Sequence, residues 1–149
     1  MAEAVEIVIG GTESERIGLS ISGPLYSDAT DYWDGNWLRA HIGATVGGFV
    51  GEVRCDMRTE EFARFRQQLE RLYDDVEGDA ELSTIEYWLT LRVDGDGLGQ
   101  VHVDGELFDR VGRMGNSLRF GLDIDRTYLP PIIDALAEIE SRWPIKGRP

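Results

Sequence analysis

Lysine is almost missing from this chain of 149 residues: Lys146 is the only one, and arginine carries nearly all of the positive charge. Cysteine occurs once, at Cys55, which excludes an intrachain disulfide and a four-cysteine zinc site by counting alone. Histidine occurs twice, as His41 and His102, and neither belongs to a HExxH motif or a Cys/His spacing of the zinc-binding kind. Uninterrupted apolar runs last only a few residues, far below the roughly 20 that a spanning helix needs. The start, MAEAVEIVIGG, has neither the basic region nor the apolar stretch of a secretory signal. These shortages point to a soluble protein of a reducing cytoplasm.

What is plentiful is acid. Twenty-eight Asp and Glu against fifteen Lys and Arg leave a formal charge of −13, a field that repels phosphate backbones and anionic lipid headgroups. Nucleic acid and membrane are therefore not the expected partners. With 42% apolar residues the chain lies well away from the disordered regime. Its length fits one domain, residues 1–149.

The patterning reads as strands and two helices. Val5, Ile7 and Ile9 alternate with Glu6 and Val8 before Gly10 and Gly11, which predicts a strand ended by a turn; Ile17, Leu19 and Ile21 predict a second, closed by Gly23 and Pro24. Trp37 to Val46 and Phe49 to Met57 form a hairpin about Gly47 and Gly48. From Thr59 the period becomes helical: Phe62, Phe65, Leu69, Leu72, Tyr73 and Val76 share one face, with Thr59 as the expected N-cap and Gly78 soon after the end. Four short runs follow, Ala80 to Ser83, Tyr87 to Val93, Gly99 to Leu107 and Leu118 to Ile124, which predict an antiparallel meander. Tyr128 to Trp143 closes the chain as a helix whose first turn tolerates Pro130 and Pro131. The fold class is α+β: a mainly antiparallel sheet of about eight strands in the order ββββα-ββββα, with two amphipathic helices packed on it. The first strand reads as a sheet edge open to another copy; the oligomeric state is open.

Catalytic motifs are scarce. Cys55 falls in an alternating apolar strand, a poor setting for a thiolate. Gly95, Gly97 and Gly99 precede a strand, whereas a phosphate cradle requires a helix N-terminus. Asp94 and Asp96, or Asp123 and Asp125, read first as turn residues and only second as calcium ligands, because neither run has the spacing of an EF-hand loop. No GxSxG elbow is present, and paired carboxylates cannot be recognised without spatial separation. No catalytic residue, metal or cofactor is assigned.

The most unusual segment is DATDYWDGNWL, residues 28 to 38. It places Tyr32, Trp33 and Trp37 around an Asp-Gly-Asn turn, with Asp28, Asp31 and Asp34 beside them. Aromatic rings in a loop anchor protein partners or stack on sugars; the alternative is that they fold back and plug one end of the sheet. Trp88 and Trp143 read as core. The loop from Asp109 to Asn116, flanked by Arg110 and Arg113, reads as mobile.

Taken together, DYWDGNWL (31–38), GGFVGE (47–52), FRQQLERLY (65–73), GDGLG (95–99) and LRFGLDIDRTYLPPIIDAL (118–136) resemble a family of small bacterial proteins that includes WapI-type immunity proteins. The resemblance implies a cytoplasmic protein that binds and silences a cognate toxin domain, often a basic nuclease, and it transfers no catalytic residue. An acidic protein is suited to that task, since it is steered onto a cationic cleft. The expected function is thus non-enzymatic protein binding, with Asp28, Asp31, Tyr32, Trp33, Asp34 and Trp37 as candidate contact residues. The alternative is a ligand- or carbohydrate-binding module on the same aromatic loop.

Overall fold

The computed structural model describes residues 3–113 and 115–149. Strands β1 (Val5–Thr12), β2 (Glu15–Pro24), β3 (Trp37–Val46) and β4 (Phe49–Arg58) form one antiparallel sheet in sequential order, interrupted between β2 and β3 by a four-residue helix, α1 (Tyr32–Gly35). Helix α2 (Thr59–Asp75) leads to a second antiparallel sheet, β5 (Glu77–Ser83), β6 (Leu89–Asp96), β7 (Gln100–Phe108) and β8 (Ser117–Asp125). A 3-10 turn, Arg126–Tyr128, then enters α3 (Leu129–Arg142). The α+β class and the ββββα-ββββα order are those expected, and the eight strands are divided into two sheets of four.

Period-two alternation decides which face of each strand is inward. Ile7, Leu19, Ile42 and Val53 point in from the first sheet and Leu82, Leu91, Val103 and Leu122 from the second. Phe62, Phe65, Leu69 and Leu72 of α2 and Ile132, Leu136 and Ile139 of α3 join them in one continuous apolar cluster. Helix α2 lies against β5 and α3, and α3 against β1. Trp88 and Trp143 are half-buried and pack on the cluster, in line with their reading as core. No helix of the described residues is long and apolar enough to cross a membrane.

Several local expectations change. Gly10 and Gly11 are not a turn: β1 runs on to Thr12, and Gly10 sits at a register shift with φ +133°, where a Cβ would approach Glu15 O to 2.1 Å. A left-handed conformation of that kind favours glycine. Thr59 is the first residue of α2 rather than its cap. The N-cap is Arg58, in extended geometry, and the Glu61 carboxylate turns back to accept its backbone N–H at 2.6 Å. The helix ends on Val76, which is left-handed at φ +66°, so the reversal precedes Gly78. Strand β5 begins at Glu77, and β6 begins at Leu89 because Tyr87 is in a turn at φ +59°. The 109–116 loop is closed at its neck, where Asn116 donates from N and Nδ2 to the Asp109 carboxylate at 2.7 and 2.9 Å; Met114 lies outside the described residues.

Candidate functional site

The segment DYWDGNW folds into α1 because Asp31 caps it: Asp31 Oδ2 accepts the amides of Trp33 and Asp34 at 3.2 and 3.1 Å. Asn36, fully buried, then holds the helix in place. Its Nδ2 donates to the carbonyls of Tyr32 and Lys146, each at 3.0 Å, while its Oδ1 accepts from Lys146 N at 2.8 Å. Lys146 Nζ reaches the Ala29 carbonyl at 3.1 Å. The one lysine thereby straps the C-terminal tail across α1.

Beneath α1 lies Arg58, buried and charged. Its guanidinium donates to the carbonyls of Trp33 and Tyr32 at 2.8 and 2.6 Å and pairs with Glu60. The rings of Tyr32, Trp33 and Trp37 surround it at 5.0, 5.8 and 5.0 Å from their centroids, a cation–π cage. Tyr32 Oη also donates to Glu60 Oε1 at 3.3 Å. Glu60 Oε2 is buried without a hydrogen-bond partner. Next to it, Glu61 accepts Arg58 N and, through Oε2, Ile85 N at 2.5 Å, so one carboxylate ties the start of α2 to the β5–β6 loop. Burial pushes the Glu61 carboxyl up to about 7, against the lowering effect of those two amides.

Three of the six candidate contact residues therefore have distinct positions. Tyr32 and Trp37 are half-buried against Arg58, whereas Trp33, 59% exposed, stands out. With Ile85 and Tyr87 it rims a concavity of about 350 Å³, which also includes Arg64 and Ser83 at the end of β5. Asp28 and Asp34 are exposed, and Asp31 is engaged in its cap. Arg58, Asn36 and Lys146 went unselected in the sequence because nothing local marks them. Their roles arise from partners 110 residues apart in one case.

The acidic charge is concentrated elsewhere, on the outward face of the second sheet. Glu77 stands opposite Asp96 and Asp79 opposite Asp94; Asp104 and Glu106 of β7 and Asp123 and Asp125 of β8 extend the field. Like charges directly opposed in a sheet are destabilising. Arg92 offsets two of them, with Nε 3.1 Å from Asp94 and Nη2 3.8 Å from Asp79. His102 lies between two others, Nδ1 2.7 Å from Asp123 and Nε2 3.0 Å from Asp104. The hydrogen bonds to Asp123 and Asp104 raise its pKa above the ordinary value. Asp96 and Asp125 serve turns, as read from sequence: Asp96 accepts Leu98 N and Gln100 N, and Asp125 accepts Thr127 N.

A family model for the WapI-like immunity proteins matches residues 8–144, nearly the whole chain. The chain belongs to the WapI-like immunity protein family. No curated protein matches it. Among solved structures this WapI-like chain is similar to the plant transcriptional regulator PBF-2, at 9% identity and a TM-score of 0.53 over 96% of this chain and 84% of that one. It is also similar to the MRP1/MRP2 proteins of trypanosoma bruciei, at 12% identity and a TM-score of 0.48 over 95% and 86%. At such identity the PBF-2 likeness concerns the arrangement of strands and helices alone.

Proposed function

We propose that this WapI-like protein is a non-enzymatic immunity protein that acts in the cytoplasm by binding and neutralising a cognate, basic toxin domain. Family membership over residues 8–144 carries this reading. The acidic face of the second sheet supports it, since opposed carboxylates such as Glu77 and Asp96, which no arginine pairs among the described residues, weaken the free sheet and are relieved by a cationic partner. Trp33, Ile85 and Tyr87 supply an apolar rim beside Ser83, at the end of the acidic edge strand β5. An exposed tryptophan next to a charged field is the composition of a binding hot spot. In this reading Trp33 is the anchor, Asp28 and Asp34 flank it, and Asp31, Tyr32 and Trp37 hold it in position.

The test is binding to any toxin domain encoded beside this protein's gene. A tight complex that weakens with salt, and is weakened by Asp79→Lys or Trp33→Ala, supports the proposal. No measurable affinity for that domain overturns it. The carbohydrate or small-ligand reading retains one supporting observation, the concavity beside Trp33. Tryptophan fluorescence that responds to a glycan panel, and loses that response in Trp33→Ala, would replace the toxin reading at this loop.

A further inference from the structure

The outer face of the first sheet contains an open groove of about 560 Å³, floored by β2, β3 and β4 and walled by Leu25 and Trp88. Its charge runs against that of the molecule. Across the strands Ser20 faces His41 and His41 faces Arg54; one step along, Arg39 faces Asp56. Two guanidiniums and an imidazole therefore converge on one patch of three neighbouring strands. Among the described residues neither the Arg39 nor the Arg54 side chain forms an ion pair or a hydrogen bond, and Asp56, the one carboxylate lining the groove, lies beyond ion-pair distance of both. Ser20 Oγ donates to Glu6 Oε1 at 2.8 Å and keeps its acceptor capacity.

In a chain with twenty-eight acidic residues, leaving the guanidiniums of Arg39 and Arg54 outside any ion pair forgoes the stabilisation that a cross-strand charge pair gives a sheet. It does give a ligand something: guanidinium forks match the geometry of carboxylate and phosphate oxygens. Trp88 adds a flat apolar wall, its Nε1 3.5 Å from Glu86 Oε1 and its ring packed on the core. The groove volume falls within the range of about 300–1,000 Å³ found for small-molecule sites.

We propose that this groove binds a small organic anion, a phosphate monoester or carboxylate whose planar apolar part rests on Trp88 while Arg39 and Arg54 hold its charged end. The site binds and does not react. Cys55 also borders it, but its thiol belongs to the core cluster and is pushed up to about 12, first by burial and then by Asp56 and Glu61, so it supplies no thiolate. The assignment is independent of any toxin.

The full chain, titrated separately with phenyl phosphate, benzoate and inorganic phosphate, gives the test through tryptophan fluorescence and backbone amide shifts in β2 to β4. Phenyl phosphate or benzoate should saturate the signal and bind more tightly than inorganic phosphate, and the one bound more tightly identifies the anion class. Arg39→Gln and Arg54→Gln should each weaken binding about tenfold or more, the loss expected when a charged hydrogen-bond donor is removed. Both side chains are exposed, so thermal unfolding should stay unchanged. Failure to saturate at millimolar concentrations, affinity unaffected in both variants, or binding of an acidic peptide where small anions fail would each overturn the proposal.

Discussion

Arg58 and Glu61 show how much of the aromatic loop depends on two buried charges. Arg58 satisfies two carbonyls of α1 and a carboxylate while three rings surround it. Arg58→Ala would take the charge partner from Glu60 and the side-chain donor from the Trp33 carbonyl, leaving the Tyr32 carbonyl to Asn36 alone. It should lower unfolding free energy by about 3–5 kcal/mol, the range for breaking a buried pair, as measured by chemical denaturation. Trp33→Ala removes the exposed outer ring of the Arg58 cage and should lower stability by about 0.5–1 kcal/mol, while weakening the proposed toxin complex by about 2 kcal/mol or more. Glu61 makes a pH prediction whose sign follows from its raised pKa. The folded state holds the proton more tightly than the unfolded state does. The stabilising contribution is complete below the ordinary glutamate range near 4.5, and is lost as pH rises through about 7. Denaturation at pH 5 and pH 8 should show this loss in the native protein. Glu61→Gln should abolish that part of the slope while lowering stability at pH 5 by about 1–3 kcal/mol, since an amide cannot accept both backbone N–H groups.

At the level of elements, α2 and the second sheet each contain a local conflict that tertiary structure maintains. The helix closes on Val76 at φ +66°, a conformation a β-branched side chain adopts only under strain. Val76→Gly should therefore raise stability by about 1 kcal/mol, after allowance for the greater entropy of unfolded glycine, with the thermal midpoint as the readout. In the sheet, His102 moderates its two aspartates. Its raised pKa means that this stabilisation is present at acidic pH and fades as pH rises past a midpoint above the ordinary histidine value. The same deprotonation makes the outer face more negative. Affinity for a cationic partner should consequently increase across that titration, and His102→Gln should flatten the dependence. Isothermal titration at several pH values distinguishes the two outcomes.

For the molecule as a whole, −13 is unevenly divided: the outer face of the second sheet is acidic, whereas that of the first brings Arg39, His41 and Arg54 together. A basic partner should approach the second sheet first. Under the proposed function, association rates with a basic toxin domain should fall as ionic strength shortens the Debye length to about 10 Å near 0.1 M, while dissociation rates change less. Asp79→Lys should slow association and Trp33→Ala should speed dissociation; stopped-flow mixing over a salt series separates these effects.

The sequence by itself determined the strand order, both helices, the Gly47–Gly48 hairpin and the inward alternation of apolar side chains. Those features depend on neighbours a few residues apart, where periodicity and turn chemistry are legible. It also singled out residues 31–38, but as a turn, because a four-residue helix capped by Asp31 is too short for a period to emerge. Only the tertiary structure divided eight strands into two sheets, placed Arg58 beneath three rings and strapped Lys146 to Asn36. It alone separated the exposed Trp33 from the half-buried Tyr32 and Trp37. These outcomes rest on contacts between residues far apart in the chain, and no local pattern encodes which distant groups will meet once the core has closed.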